Sequence, residues 1–121
     1  MVKKSGPTNP EVIVLIRYLK NLAREHDAAI WKRIADTLEH PARKQKAVNL
    51  SRINRYSKKD ETIIVPGKVL GTGELQSSVI IAAMGFSADA RAKIIEKGGR
   101  CISILELTEQ NPKGSNVRII Q

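Results

Sequence analysis

Two β-branched apolar runs, Thr62 to Val65 and Val79 to Ala83, bracket the stretch Val65-Pro66-Gly67-Lys68-Val69-Leu70-Gly71-Thr72-Gly73. Runs of this kind are strands, so the segment between them decides how the two strands are related. Three glycines and a proline in nine residues describe a backbone that turns tightly and that something large can approach closely. The conservative expectation is a hairpin turn followed by a bulge. The competing one is a ligand-facing surface, with Gly71 and Gly73 giving access and Lys68 giving charge. On that reading a side chain at Gly71 hinders a partner more than it hinders folding. The spacing excludes the familiar nucleotide loops. The dinucleotide fingerprint would need a glycine where Gln76 stands, and no Lys-Ser or Lys-Thr follows the last glycine, as a phosphate loop requires.

The chain has 121 residues, the size of one domain, and its 41% hydrophobic content supports a real core. That core is aliphatic: there are only one Phe, one Trp and two Tyr, so aromatic platforms for stacking bases are scarce. With 21 Lys and Arg against 12 Asp and Glu, the formal charge is +9, which favours a polyanionic partner. The excess is concentrated. Residues 1–60 hold 14 basic and 6 acidic residues, and residues 61–121 hold 7 and 6. No apolar run reaches the roughly 20 residues that span a bilayer, and the first residues lack a signal core, so a cytoplasmic chain without a membrane partner is expected. The single cysteine, Cys101, lies in an apolar run and reads as a buried, inert thiol.

Residues 1–9, with Lys3 and Lys4 beside Gly6 and Pro7, read as a basic arm that orders on a partner. A helix follows, capped by Asn9 with Pro10 at its first position or by Thr8 with Glu11 in a capping box. Val12, Leu15, Ile16, Leu19, Leu22 and Ala23 recur at helical spacing to about Glu25. Asp27 is expected to cap a second helix that buries Ile30, Trp31, Ile34, Ala35 and Leu38 and stops at Pro41. His26 and His40 have no partner at ligand spacing and read as surface residues.

From Pro41 to Lys59 the charge is of one sign: Arg43, Lys44, Lys46, Arg52, Arg55, Lys58 and Lys59. A solvated face mixes signs, so unopposed cations call for external counter-charge, most simply phosphates. Val48 and Leu50 suggest a short strand. Ser51 then caps a short helix with Arg52, Arg55 and Lys59 on one face and Ile53 and Tyr56 turned inward. Beyond the glycines, a strand to Ala83, a helix over Ala88 to Lys97 capped by Ser87 and ended by Gly98 and Gly99, and a strand from Cys101 to Leu105 have the length of a crossover unit with parallel strands. A further helical turn or two ends at Asn111 and Pro112. Val117 to Ile120 forms a final strand, with its backbone anchored and the Arg118 guanidinium facing out.

The pattern holds no His or Cys cluster, no nucleophile elbow and no acidic pair placed in a cleft. Asp60 and Glu61 balance Lys58 and Lys59, and Glu74 is the one acid positioned as a candidate base. Catalysis, a metal, a cofactor and a small-molecule substrate are not expected.

Three ordered blocks carry a resemblance: Val48-Asn49-Leu50-Ser51-Arg52-Ile53-Asn54-Arg55, Val65 to Gly73, and Asn111-Pro112-Lys113-Gly114-Ser115-Asn116-Val117-Arg118. Together they closely resemble the eighteen-e family of archaeal and eukaryotic large-subunit ribosomal proteins, which is related to bacterial large-subunit protein fifteen. The compact length is closer to archaeal members. The resemblance implies a ribosomal location in the large subunit, ribosomal RNA and neighbouring large-subunit proteins as partners, and a structural role. It also implies an α/β fold: a single domain, residues 10–121, with two N-terminal helices (10–40), a basic segment (41–60) and a small mixed sheet with a crossover helix (61–121). By charge and motif position the RNA-contacting residues are Lys3, Lys4, Arg43, Lys44, Lys46, Arg52, Arg55, Lys58, Lys59, Lys68, Gly71, Thr72, Gly73, Lys113, Asn116 and Arg118. The alternative function is a free regulatory nucleic-acid-binding module, disfavoured by the absence of a helix-turn-helix or single-strand motif.

Overall fold

The β-branched run at Thr62 becomes the central strand of a parallel sheet. In the computed structural model, which describes residues 9–39 and 47–121, the elements are α1 (Pro10–His26), α2 (Ala29–Leu38), β1 (Val48–Asn49), α3 (Leu50–Tyr56), β2 (Thr62–Leu70), β3 (Ile80–Phe86), α4 (Ala88–Glu96), β4 (Arg100–Ser103), α5 (Ile104–Gln110) and β5 (Val117–Ile119). β2 pairs with β3 and β3 with β4. The other edge of β2 is shared: β5 lies along Thr62 to Ile64, and β1 lies along Val69 and Leu70. Every one of these pairings is parallel, so the α/β class stands but the sheet is not mixed. It also reaches back to Val48, outside the expected 61–121 segment.

Alternation along the strands splits the core into two layers. Ile63, Val65, Ile81 and Ala83 face α3 and α4, where they meet Leu50, Ile53, Ala90 and Ile94. Ile64, Ala82 and Ile102 face α1, α2 and α5, where they meet Leu19, Trp31, Ile34, Leu38 and Leu107. Covering both faces is why these strands read as unbroken apolar runs. Each fully buried aliphatic side chain contributes about 1.5–3 kcal/mol.

The glycine-rich stretch is not a hairpin. β2 runs on through Pro66 and Gly67 to Leu70, and the expected bulge survives as a register shift between Val65 and Lys68. Because β3 starts again beside Thr62, residues 71–79 must recross roughly 23 Å, at about 3.3 Å per residue. A chain reaches at most about 3.3–3.6 Å per residue, so the crossover covers this distance at roughly three quarters of full extension, and it does so without a helix. It lies along α3 and the connection after it: the Ser51 amide donates to the Thr72 carbonyl (3.0 Å), the Gln76 amide to Asn54 Oδ1 (2.9 Å) and the Asp60 amide to the Ser78 carbonyl (2.8 Å).

Local signals placed most helix ends. Asn9 Oδ1 accepts the Glu11 amide at 2.9 Å with Pro10 in the first turn, and Ser87 Oγ accepts the Ala90 amide at 3.1 Å. Gly98 ends the α4 region at φ 83°. Asp27, however, does not cap α2. It closes α1 in the left-handed region at φ 50°, a conformation that Asp tolerates, and α2 starts behind Ala28 without a side-chain cap. Nor does Ser51 cap α3: the helix begins one residue earlier, at Leu50, so the cap position is Asn49 and Ser51 lies inside the first turn, its amide donating to the Thr72 carbonyl. The strand expected to Leu105 stops at Ser103, where Ser103 and Glu106 form a reciprocal capping box (3.0 and 2.9 Å) that starts α5. The expected stop at Pro41 lies outside the described residues, as does His40; His26 is exposed.

Trp31 is fully buried, and its indole N–H donates to the Pro112 carbonyl at 2.7 Å, tying the final segment to α2. Gly114 sits at φ 66°, where a Cβ would lie 2.4 Å from Ile30 Cγ2. Only glycine lets this turn close over α2. Half-buried Cys101 has its thiol pushed up by burial, against a smaller opposing effect of Arg91, in keeping with an inert role.

Candidate nucleic-acid interface

The glycines that suggested access for a partner are occupied by the protein itself. A Cβ on Gly71 would lie 2.4 Å from Asp89 Oδ2 and 2.9 Å from the Ala90 amide nitrogen, at the first turn of α4. On Gly73, at φ 99°, it would lie 2.7 Å from the Ser51 nitrogen, at the start of α3. Lys93 then closes the loop from above: Nζ donates to the carbonyls of Gly71 (2.8 Å) and Gly73 (3.0 Å) and lies 3.4 Å from Glu74 and 3.8 Å from Asp89. Glu74, the one acid considered as a base, is thus an exposed ion-pair partner. Thr72 is exposed, while its carbonyl is held by Ser51. Lys68 is not in a turn but points outward from β2.

A different region gathers cations from distant parts of the chain. Lys58, Lys59, Asp60, Glu61 and Thr62 face Ser115, Asn116, Val117 and Arg118 across a concavity of about 610 Å³. Its two acids are engaged. Asp60 Oδ1 accepts from Ser78 Oγ at 3.0 Å. Glu61 accepts the Lys58 amide at 2.9 Å and Arg118 Nε at 2.8 Å. Partial burial pushes the Glu61 carboxyl up, but the Lys58 amide and Arg118 outweigh it and hold the group below its ordinary value. Arg118 therefore does not simply face outward; its guanidinium is steered by Glu61.

On the other side of Arg118 a second concavity, about 270 Å³, is lined by Arg33, Arg52, Tyr56, Arg118, Ile119, Ile120 and Gln121, with no acidic residue among them. Arg52 is held twice: Nε donates to the Gln121 carbonyl at 3.1 Å, and Cζ lies 5.3 Å from the Tyr56 ring centroid. Arg33 projects from α2. Three guanidiniums carried by α2, α3 and β5 make a surface suited to phosphate oxygens.

Of the expected contact residues, the fold brings Lys58, Lys59, Asn116, Arg118 and Arg52 to these adjoining concavities. Arg55, Lys68 and Lys113 are set apart from their linings. Lys59 lies beyond the end of α3, so the expected single helical face of Arg52, Arg55 and Lys59 does not form, and Tyr56 is 47% exposed rather than turned inward. Lys3, Lys4, Arg43, Lys44 and Lys46 lie outside the described residues. Sequence reading missed Arg33, whose helix read as core packing, and Lys93, whose role depends on carbonyls some twenty residues away (separations of 22 and 20).

The three blocks are now one structure. Val48 and Asn49 pair with Val69 and Leu70, Ser51 holds Thr72, and Arg52 holds Gln121 just beyond the third block. Residues 2–121 match the family described as ribosomal protein 60S L18 and 50S L18e. Over 121 residues, all of both chains, the sequence is 53% identical to the large ribosomal subunit protein eL18 of Methanoregula boonei and 48% identical to that of Methanothermobacter thermautotrophicus. It is 47% identical over 114 residues to that of Halobacterium salinarum, covering 94% of this chain and 97% of the relative. The chain belongs to the L18e family of large-subunit ribosomal proteins.

Proposed function

We propose that the chain acts as a structural, non-catalytic constituent of the large ribosomal subunit, binding ribosomal RNA by its phosphate backbone beside other large-subunit proteins. The observation that carries this reading is the convergence of Arg33, Arg52, Lys58, Lys59 and Arg118 on adjoining concavities, in a chain of formal charge +9. Residues 10–121 serve as one RNA-binding domain, and residues 1–9 as a basic arm that adds Lys3 and Lys4. Arg43, Lys44 and Lys46 contribute further phosphate contacts by their charge, with Arg55, Lys68 and Lys113 as outlying contacts. Phosphate contacts of this kind position the RNA without reading its bases.

Titration of the full chain with a large-subunit ribosomal RNA fragment across a range of salt tests the reading. The logarithm of the affinity should fall linearly with the logarithm of salt concentration, and Lys58→Gln and Lys59→Gln should each shallow the slope by about one. A salt-independent affinity, or tight selective binding to one short DNA duplex, would overturn it.

A further inference from the structure

The concavity around Arg33, Arg52 and Arg118 contains something that phosphate binding alone does not need. Its lining includes Tyr56, which is 47% exposed, whereas Trp31 is fully buried, Tyr18 is 36% exposed with its hydroxyl accepting from Thr108 Oγ1, and Phe86 is half-buried with Arg91 over its ring. The most exposed aromatic of an aromatic-poor chain thus stands among three guanidiniums. Arg52 lies over its ring and is itself fixed by the Gln121 carbonyl, so the Tyr56–Arg52 pair is preformed rather than assembled on binding. The terminal amino groups of Arg52 and the guanidinium of Arg33 have no hydrogen-bond or ion-pair partner among the described residues. A base stacks on an aromatic ring or on a guanidinium plane, and only a base outside a duplex has a free face to offer.

We infer that this concavity is a binding site for one unpaired nucleotide of RNA, its base stacked on the Tyr56–Arg52 pair and its flanking phosphates on Arg33 and Arg118. The site deepens the ribosomal RNA reading and rests on it. It divides the interface into a stretch at Lys58, Lys59 and Arg118 that follows any backbone, and a stretch at Tyr56 that requires a nucleotide out of the stack. Tyr56 is the last residue of α3 and contributes nothing to either buried core, so its replacement leaves the fold intact.

Fluorescence anisotropy of the full chain with two labelled RNAs tests the inference: a hairpin with an unpaired loop, and a fully paired duplex of the same stem. Tyr56→Leu should weaken loop binding by about 5- to 100-fold and leave duplex binding within about twofold. It should not change the salt slope, and Tyr56→Phe, which keeps the ring, should bind the loop within about twofold of the wild type. Unchanged loop binding by Tyr56→Leu, or equal loss on both RNAs, overturns the site. A wild type that binds both RNAs alike, with strong salt dependence, overturns the nucleotide site and leaves the backbone-binding reading standing; one that binds neither overturns both.

Discussion

The glycine-rich crossover and the arginine-lined concavity look alike as sequence: each combines small or polar residues with cations, and each suggests a partner. Folded, they are opposites. At Gly71 and Gly73 the space a side chain would fill holds Asp89, Ala90 and Ser51, and the one nearby ammonium, Lys93, is committed to the loop's own carbonyls. Around Arg33, Arg52 and Arg118 the guanidiniums surround open space; among the described residues Glu61 is the one carboxylate side chain paired with them, while the Gln121 main-chain oxygen takes one N–H of Arg52. Glycine marks close approach, but the approaching group can be the protein's own helix. Unopposed cations are the better sign of an external partner, because nothing inside neutralises them.

The largest effect that separates the two regions is expected at Gly71 and Gly73. Gly71→Val overpacks the α4 junction, and Gly73→Val adds a β-branched residue at φ 99°, each destabilising by about 3 kcal/mol in thermal or denaturant unfolding. This reverses the expectation drawn from sequence alone, in which Gly71→Val spares folding and hinders the partner. Unchanged stability with impaired RNA binding would restore that expectation and break the contrast. Next, Lys93→Met leaves the Gly71 and Gly73 carbonyls without their donor and should cost about 1–3 kcal/mol, with RNA affinity at 25 °C little changed where the protein remains folded. An affinity loss without a stability loss would place Lys93 on the RNA side instead.

A smaller effect sharpens the boundary at Glu61. Its carboxyl is held below the ordinary value of 4.5, so it contributes stability above that pH, and the contribution disappears as pH falls through the lower folded value. Glu61→Gln should therefore be less stable than wild type at neutral pH, with the gap in Tm closing on acidification below about pH 4.5. A gap that stays constant with pH would show that Glu61 does not act through its charge on Arg118.

What could be read in advance follows the range of the interactions. Asn9 with Pro10, Ser87, Gly98 and the buried stripe around Trp31 are fixed by neighbours a few residues away, and sequence reading placed them. The buried strands were legible too, but not the direction of β3, because a helix-free crossover of residues 71–79 has the composition of a turn. Ser103 and Glu106 carried a legible capping box that the apolar run Ile102 to Leu105 masked. Arg118 with Glu61 and Arg52 with Gln121 join residues 57 and 69 positions apart, so the shape of the concavity exists only once β5 has docked on β2. Tyr56 differs: its partner Arg52 is one helical turn away, but which face of α3 is covered depends on the packing of Leu50 and Ile53 against the sheet.

The contrast between the two regions is tested most directly by the chain's structure within an intact large subunit. RNA phosphate oxygens should lie within hydrogen-bond distance of the Arg33, Arg52 and Arg118 guanidiniums, with no RNA atom in contact with Gly71 or Gly73. RNA packed against those glycines, with the arginine-lined concavity left to solvent, would contradict the account.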